Sequence, residues 1–265
     1  MAKLKRFNVA LLQLDIQKGE VETNFKKIKS YIPKLAKKNI KIVSLPELWP
    51  TGFVRTRLSK MAEETREALE WMAELSAKYE MVIVGSGIEE EDGKFYNSAH
   101  VIDSGKILGF YRKVHLFSPI KEDSVFTPGN EAKVFDTSVA KIGVVICYDL
   151  RFPELIRKVM KLGAEVLIVP AQWPEDRINH WHILLQARAI ENQFFVIGVN
   201  RIGEVRIDSG GTIIYSGHSM IIDPWGEIIS QAGDREGFRT AKFDMTKLEK
   251  IRNKFPFLND IRDIY

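Results

Sequence analysis

Short apolar, β-branched runs alternate with segments of helical period along most of this chain. That alternation restricts it to a layered α/β architecture, with sheets that must be covered by helices. Residues 7–14 read as a first strand. Residues 24–38 read as a helix, with Phe25, Ile28, Ile32, Leu35 and Ala36 at helical spacing, and 40–45 as a short strand closed by Pro46. Residues 62–79 read as a second helix and 81–87 as a strand. The runs 95–102 and 107–113 are joined by the turn Asp103-Ser-Gly105. Residues 141–147 form a further strand, and a helix opens after Pro153. Strand 165–170, helix 179–192 and strand 194–200 follow. Short strands at 212–215, 218–223 and 227–230 surround the turn Pro224-Trp-Gly226, and 238–243 closes the pattern. No Pro/Ser-rich linker, internal repeat or low-complexity block interrupts it, so residues 1–265 are expected to form a single domain.

Composition narrows the function classes. The chain is 45% hydrophobic with a formal charge of +4, and its Lys and Arg are interleaved with Asp and Glu as on solvated helix faces. A basic stripe with aromatics is missing, so nucleic acid is not an expected partner. A single cysteine rules out an intrachain disulfide and fits a reducing compartment. The 7–14 run is too short to cross a bilayer and carries no signal-cleavage pattern. No membrane association and a cytoplasmic location are therefore expected. The charged fraction of 28%, with sparse Cys, Asn and Gln, points toward a thermophile.

Three polar residues stand at the ends of strand-like runs: Glu47 after Ile42-Val-Ser-Leu-Pro46, Lys113 after Gly109-Phe-Tyr-Arg112, and Cys147 after Gly143-Val-Val-Ile146. In open α/β sheets, ligands gather beyond the carboxyl ends of strands. Each residue alone has a bland explanation. A lone Cys is more often a small buried hydrophobe, Glu47 a strand-end carboxylate and Lys113 a solvated lysine. Spacing does not by itself make the three converge. His180 and His182 lie two apart on a helix, point in different directions and make a poor metal pair. Gly85-Ser-Gly87 and Asp208-Ser-Gly-Gly211 are turn signals without a phosphate-binding fingerprint.

Three blocks carry a resemblance. Leu45-Pro-Glu-Leu-Trp-Pro-Thr-Gly-Phe53, Tyr111-Arg-Lys-Val-His-Leu-Phe117 and Val145-Ile-Cys-Tyr-Asp-Leu-Arg-Phe-Pro-Glu154 resemble the carbon–nitrogen hydrolase (nitrilase) superfamily, in the family's order. Ala187-Arg-Ala-Ile-Glu-Asn192, Val199-Asn-Arg201, Gly217-His-Ser219 and Asp223-Pro-Trp-Gly226 look like further family blocks, so the resemblance spans nearly the whole chain. It implies a four-layer αββα sandwich and a Glu–Lys–Cys triad of Glu47, Lys113 and Cys147. It also implies a second glutamate before a Pro-Gly turn. Here that turn is Thr127-Pro-Gly129, and Glu122 stands six residues before the proline, with Asp123 as the neighbouring substitute. His115 has no base role in the family pattern and reads as a structural hydrogen-bonding group.

The chemistry that the resemblance implies is attack on an amide by a thiolate. Glu47 would be the general base, and the Lys113 ammonium and the Tyr148 backbone N–H would hold the oxyanion. A cation and a base nearby are expected to lower the thiol's pKa from its free value near 8.5. No metal or organic cofactor is required. The Cys-Tyr-Asp-Leu-Arg-Phe-Pro-Glu string most resembles the branch that hydrolyses ω-amides of small dicarboxylic or 2-oxo acids. Arg151, four residues after Cys147, suits a substrate carboxylate, and a salt bridge to Asp149 or Glu154 is the competing reading. Trp173 and Asn200 are expected to line the pocket. A nitrilase or an N-carbamoyl amino acid hydrolase would use the same residues, and a non-catalytic interaction module is the reading from another class. Family members commonly pair through a helical face, so a homodimer or a higher even homo-oligomer is expected. The segment 255–265 either crosses onto the partner or covers its own core.

Overall fold

A computed structural model describes residues 3–206 and 210–262. Asp208 and Ser209 of the expected turn, and residues 263–265 of the C-terminal segment, lie outside the described residues. In chain order the first half contains β1 (Arg6–Gln13), α1 (Val21–Ala36), β2 (Ile40–Ser44), α2 (Leu58–Tyr79), β3 (Val82–Glu91), β4 (Lys94–Asp103) and β5 (Lys106–Arg112). The second half contains β6 (Val134–Asp136), β7 (Lys141–Val144), α3 (Pro153–Lys161), β8 (Val166–Ala171), α4 (Ile178–Asn192), β9 (Phe195–Asn200), β10 (Ile202–Arg206) and β11 (Thr212–Ser216). It closes with β12 (Met220–Ile222), β13 (Ile228–Gln231), β14 (Gly237–Asp244) and α5 (Met245–Lys254).

Two six-stranded sheets result, ordered β14-β1-β2-β3-β4-β5 and β13-β12-β9-β8-β7-β6, with β10 and β11 forming a separate hairpin. The middle strands β1, β2 and β3 run parallel, as do β7, β8 and β9. The remaining partners are antiparallel. Side chains alternate between the faces of a strand, and here both faces of the central strands are buried. In β1, Val9 and Leu11 join the core between the sheets, whereas Ala10 and Leu12 join the core under α1 and α2. In β3, Val82 and Val84 face the first core and Ile83 the second. Buried parallel strands read as continuous apolar runs for this reason. On the other sheet, α3 and α4 pack closely because two strand positions lack a side chain. A Cβ at Gly143 would sit 2.2 Å from Val159, and one at Gly198 would sit 2.4 Å from Leu185. The architecture is the αββα sandwich: two sheets face to face, helices outside.

Several boundaries differ from the sequence reading. The strand expected over 141–147 ends at Val144, because Val145 N–H bonds Ile168 O and the chain then turns into a left-handed Cys147 (φ 47°). Three elements were not anticipated: the short β6, the polar β10 and the closing helix α5, which is capped by Asp244 accepting from Thr246 N–H at 3.0 Å. In the C-terminal segment, Leu258 and Ile261 pack against the core between the sheets, and Phe255 stacks near Trp225 with centroids 5.0 Å apart.

Candidate active site

Strand ends from both sheets deliver the site. β2 leads to Glu47, β5 to Lys113, β7 to Cys147 and β8 to Gln172. These residues line one cavity of about 410 Å³. Crossing the sandwich brings together groups from opposite sheets, and hydrogen bonds set their spacing.

Glu47 is buried. Its Oε1 accepts from Lys113 Nζ at 2.8 Å and from Asn97 Nδ2 at 2.8 Å, and its Oε2 accepts from the Gln172 backbone N–H at 2.9 Å. Lys113, 2% exposed, is held from the other side by both carboxylate oxygens of Glu122 at 2.9 Å. Glu122 is equally buried and is fixed by the Phe117 N–H at 2.7 Å. Asp123, the substitute considered, is exposed. Burial alone would lower the Lys113 pKa, but Glu122 and Glu47 outweigh it, so Lys113 is held well above the usual lysine value and is an ammonium.

Cys147 opens a 3-10 turn spanning Cys147–Arg151, with Pro153 beginning α3 just beyond. Its Sγ lies 3.8 Å from the carbonyl oxygen of Gln172. The expected low thiol pKa is not what this environment produces. Burial and the negative Glu47 push the thiol well above its ordinary value, and Lys113 offsets only part of that. The resting group is therefore a thiol.

A left-handed backbone at a β-carbon-bearing residue needs support from its surroundings. Asp149 supplies it. This fully buried carboxylate accepts from Ile146 N–H at 3.0 Å, Tyr111 O–H at 2.7 Å and His115 N–H at 2.8 Å, and it faces His115 Nδ1 at 2.9 Å. His115 is thus a hydrogen-bonding group, stacked on Phe152 at 3.6 Å between centroids. The same carboxylate ties the Lys113 segment to the Cys147 turn.

The expected substrate-side residues divide. Tyr148, Arg151 and Trp173 line the cavity. Arg151 pairs with neither Asp149 nor Glu154. Its Nη2 lies 3.2 Å from His180 Nδ1, and its guanidinium is 4.7 Å from the Trp173 ring centroid. Asn200 does not reach the cavity. Its side chain is spent on the Trp173 N–H (2.7 Å), the Trp173 carbonyl (2.9 Å) and the Gly217 carbonyl (2.9 Å), so it pins Trp173 instead. His180 and His182 diverge: the first meets Arg151, the second packs on His218 at 5.5 Å. Sequence reasoning missed Asn97, Asp149 and Gln172. Gln172 carried the same strand-end signal as Cys147, and Asn97 is a polar residue inside an apolar strand, a position that asks for a partner.

The two-sheet sandwich thus brings an acidic, an ammonium and a thiol side chain into one cavity. The chain belongs to the carbon–nitrogen hydrolase family, whose profile matches residues 8–253. It is an enzyme of the class that acts on non-peptide C–N bonds. It is 38% identical to a 2-oxoglutaramate amidase of Bacillus subtilis (strain 168), over 98% of this chain and 100% of that protein. It is 32% identical to the omega-amidase NIT2 of Mus musculus, over 99% and 98%. Among solved structures, the carbon–nitrogen hydrolase of Helicobacter pylori G27 superposes with a TM-score of 0.92 at 28% identity, covering 98% of this chain and 97% of that one.

Proposed function

We propose that this hydrolase is an amidase. It releases ammonia from a small ω-amide of a dicarboxylic or 2-oxo acid through a thioester on Cys147. The observation that carries the reading is Cys147 sharing one cavity with the Glu47–Lys113–Glu122 cluster and with Arg151, a cation that has no carboxylate partner among the described residues. The names of the amidase relatives support the substrate class.

In this scheme Glu47 takes the thiol proton as Sγ attacks the amide carbon. Positioned proton transfer of this kind is worth about 10²–10⁴-fold. The oxyanion forms between the Lys113 ammonium and the Tyr148 N–H, and removing one such donor typically costs about 10²–10³-fold in turnover. Collapse expels the amine, which leaves as ammonia with the proton from Glu47. Glu47 then deprotonates water for attack on the thioester and returns that proton to the departing sulfur, so the acid product leaves as its carboxylate and the thiol is regenerated. Glu122 keeps Lys113 charged and aimed. Arg151 receives the substrate's free carboxylate.

Purified protein given 2-oxoglutaramate or glutaramate should release ammonia, and Cys147→Ala should abolish that release. An acyl adduct on Cys147, seen by intact-mass measurement of wild-type protein quenched in acid during turnover, is the expected trapped species. Ammonia release undiminished in Cys147→Ala removes the reading.

The chain is further proposed to fold as one unit, to act in the cytoplasm and to pair with a second copy. Ile183 and Ile190, seven apart on α4, are 65% and 53% exposed, an apolar stripe suited to a helical dimer face. A monomer in sedimentation at micromolar concentration rejects the pairing.

A further inference from the structure

Among the described residues, the β10–β11 hairpin walls the cavity with apolar side chains, the Arg206 cation and one hydroxyl. Val205, Ile213 and Tyr215 line the cavity. Ile213 and Tyr215 are two apart on β11 and so share a face. Val205 stands across the hairpin from Ile213, and Gly203 stands across from Tyr215, so no side chain on β10 covers the tyrosine. Tyr215 is 9% exposed, and its ring lies 4.9 Å from the Arg201 guanidinium. That guanidinium is committed elsewhere, to Ile16 O at 2.8 Å, Ile202 O at 3.1 Å and Asp15.

The Tyr215 hydroxyl, by contrast, has no hydrogen-bond partner among the described residues, and it is not one of the sealed polar atoms. A phenol buried this far normally finds a partner. Burial, the largest influence, pushes its pKa up to about 12, so it stays a neutral O–H donor across the working pH range. It makes no hydrogen bond to Glu47, Lys113 or Cys147, although it shares their cavity and the charges of Cys147 and Glu47 help to raise its pKa.

We infer that Tyr215 is a specificity residue whose hydroxyl donates to an acceptor oxygen on the acyl chain of the substrate, beyond the scissile amide. The ligand class is an acyl chain that carries a 2-oxo group or a carboxylate at its far end. A directional neutral donor set beside apolar side chains is how mostly apolar pockets fix a ligand's orientation. The inference deepens the amidase reading and rests on it for the identity of the substrate, but the subsite can be tested by binding alone.

The test compares wild type with Tyr215→Phe, which keeps the ring and its contact with Arg201. Calorimetry measures binding of 2-oxoglutarate, glutarate and butyrate, and kcat/KM is measured for the matching amides. Loss of one hydrogen bond to a charged or strongly polar acceptor corresponds to about 10- to 100-fold. A loss of that size for 2-oxoglutarate alone assigns the contact to the oxo group. An equal loss for 2-oxoglutarate and glutarate, at least tenfold beyond that for butyrate, assigns it to the remote carboxylate. Either supports the subsite. Binding that is the same in both proteins, a loss as large for butyrate, or wild type that binds none of the acids overturns it. Binding that behaves as expected in a protein that hydrolyses none of the amides sinks the amidase reading and leaves the subsite standing.

Discussion

Asp149 decides where Cys147 can sit. Each of its oxygens receives a backbone N–H, one from Ile146 and one from His115. An asparagine there must turn its NH₂ toward one of those donors, whichever way it flips. Asp149→Asn is therefore expected to lose about 1–3 kcal/mol of stability and, in the folded fraction, at least about tenfold in kcat, with KM little changed, because a shifted Cys147 misses the transition state more than it misses the bound substrate. Steady-state kinetics on folded protein checks this, and an unchanged kcat rejects the positioning role. The Cys147 thiol makes a second prediction. Its pKa is raised by burial and by Glu47. A group raised on folding gives stability that is complete below its unfolded value, about 8.5, and is lost as pH climbs toward the folded value. Lys113 has the same sign, with its window opening only above about 10.4. Between pH 8 and 10, wild type should lose more stability than Cys147→Ala in denaturant titrations. Alkylation of Cys147 should keep accelerating beyond pH 8.5. A labelling rate that levels off below pH 8 contradicts the raised thiol.

Strands buried on both faces were legible because their apolar runs leave no other home. β1, β2, β3, β8 and β9 were all anticipated within a residue or so at most ends, although β3 runs on through its polar tail to Glu91. What escaped was short or polar. β6 has three residues, β10 (Ile202-Gly-Glu-Val-Arg206) has no apolar run, and α5 buries only Met245 and Leu248. The site divides on similar lines. Glu47, Lys113 and Cys147 stand out because a charge or a thiol ends an apolar strand within a family-like block. Asn97 and Gln172 act by hydrogen bonds across elements, which no local pattern encodes. β4 holds one more buried polar group, of a different kind. His100 is buried, its Nδ1 lacks a hydrogen-bond partner, and desolvation takes its pKa down to about 4, against the opposing pull of Glu89. A histidine lowered on folding gives stability that is complete above its unfolded value near 6.5 and fades as pH falls toward 4. From pH 7 to 4.5 the wild type should lose on the order of 2 kcal/mol through this residue alone. His100→Phe should lose correspondingly less in urea titrations over that range, and parallel losses in the two proteins contradict a neutral buried imidazole.

At the scale of the whole molecule, the sandwich gathers charge of one sign around the cavity. Lys18, Arg55, Lys121, Arg151, Arg177 and Arg206 line it. The carboxylates among the described lining residues are Glu47 and Glu122, and both are bonded to Lys113. A formal charge of +4 on the chain is too small to produce such a field by itself, so the placement of the charges matters more than their sum. A cleft lined with cations between apolar walls draws anions in and speeds their encounter, and salt screens that attraction over a Debye length of about 10 Å at 0.1 M. An ω-amide that carries a carboxylate should therefore show kcat/KM falling several-fold as ionic strength rises from about 0.01 to about 0.5 M, mostly through KM if binding is fast. A neutral amide of the same length feels no net pull, so its kcat/KM should stay nearly flat over the same range. The contrast separates steering from any general effect of salt on the fold, which would move both substrates together. Equal salt dependence for the charged and the neutral amide would mean that the cations at the mouth act on the surface alone and do not select the substrate.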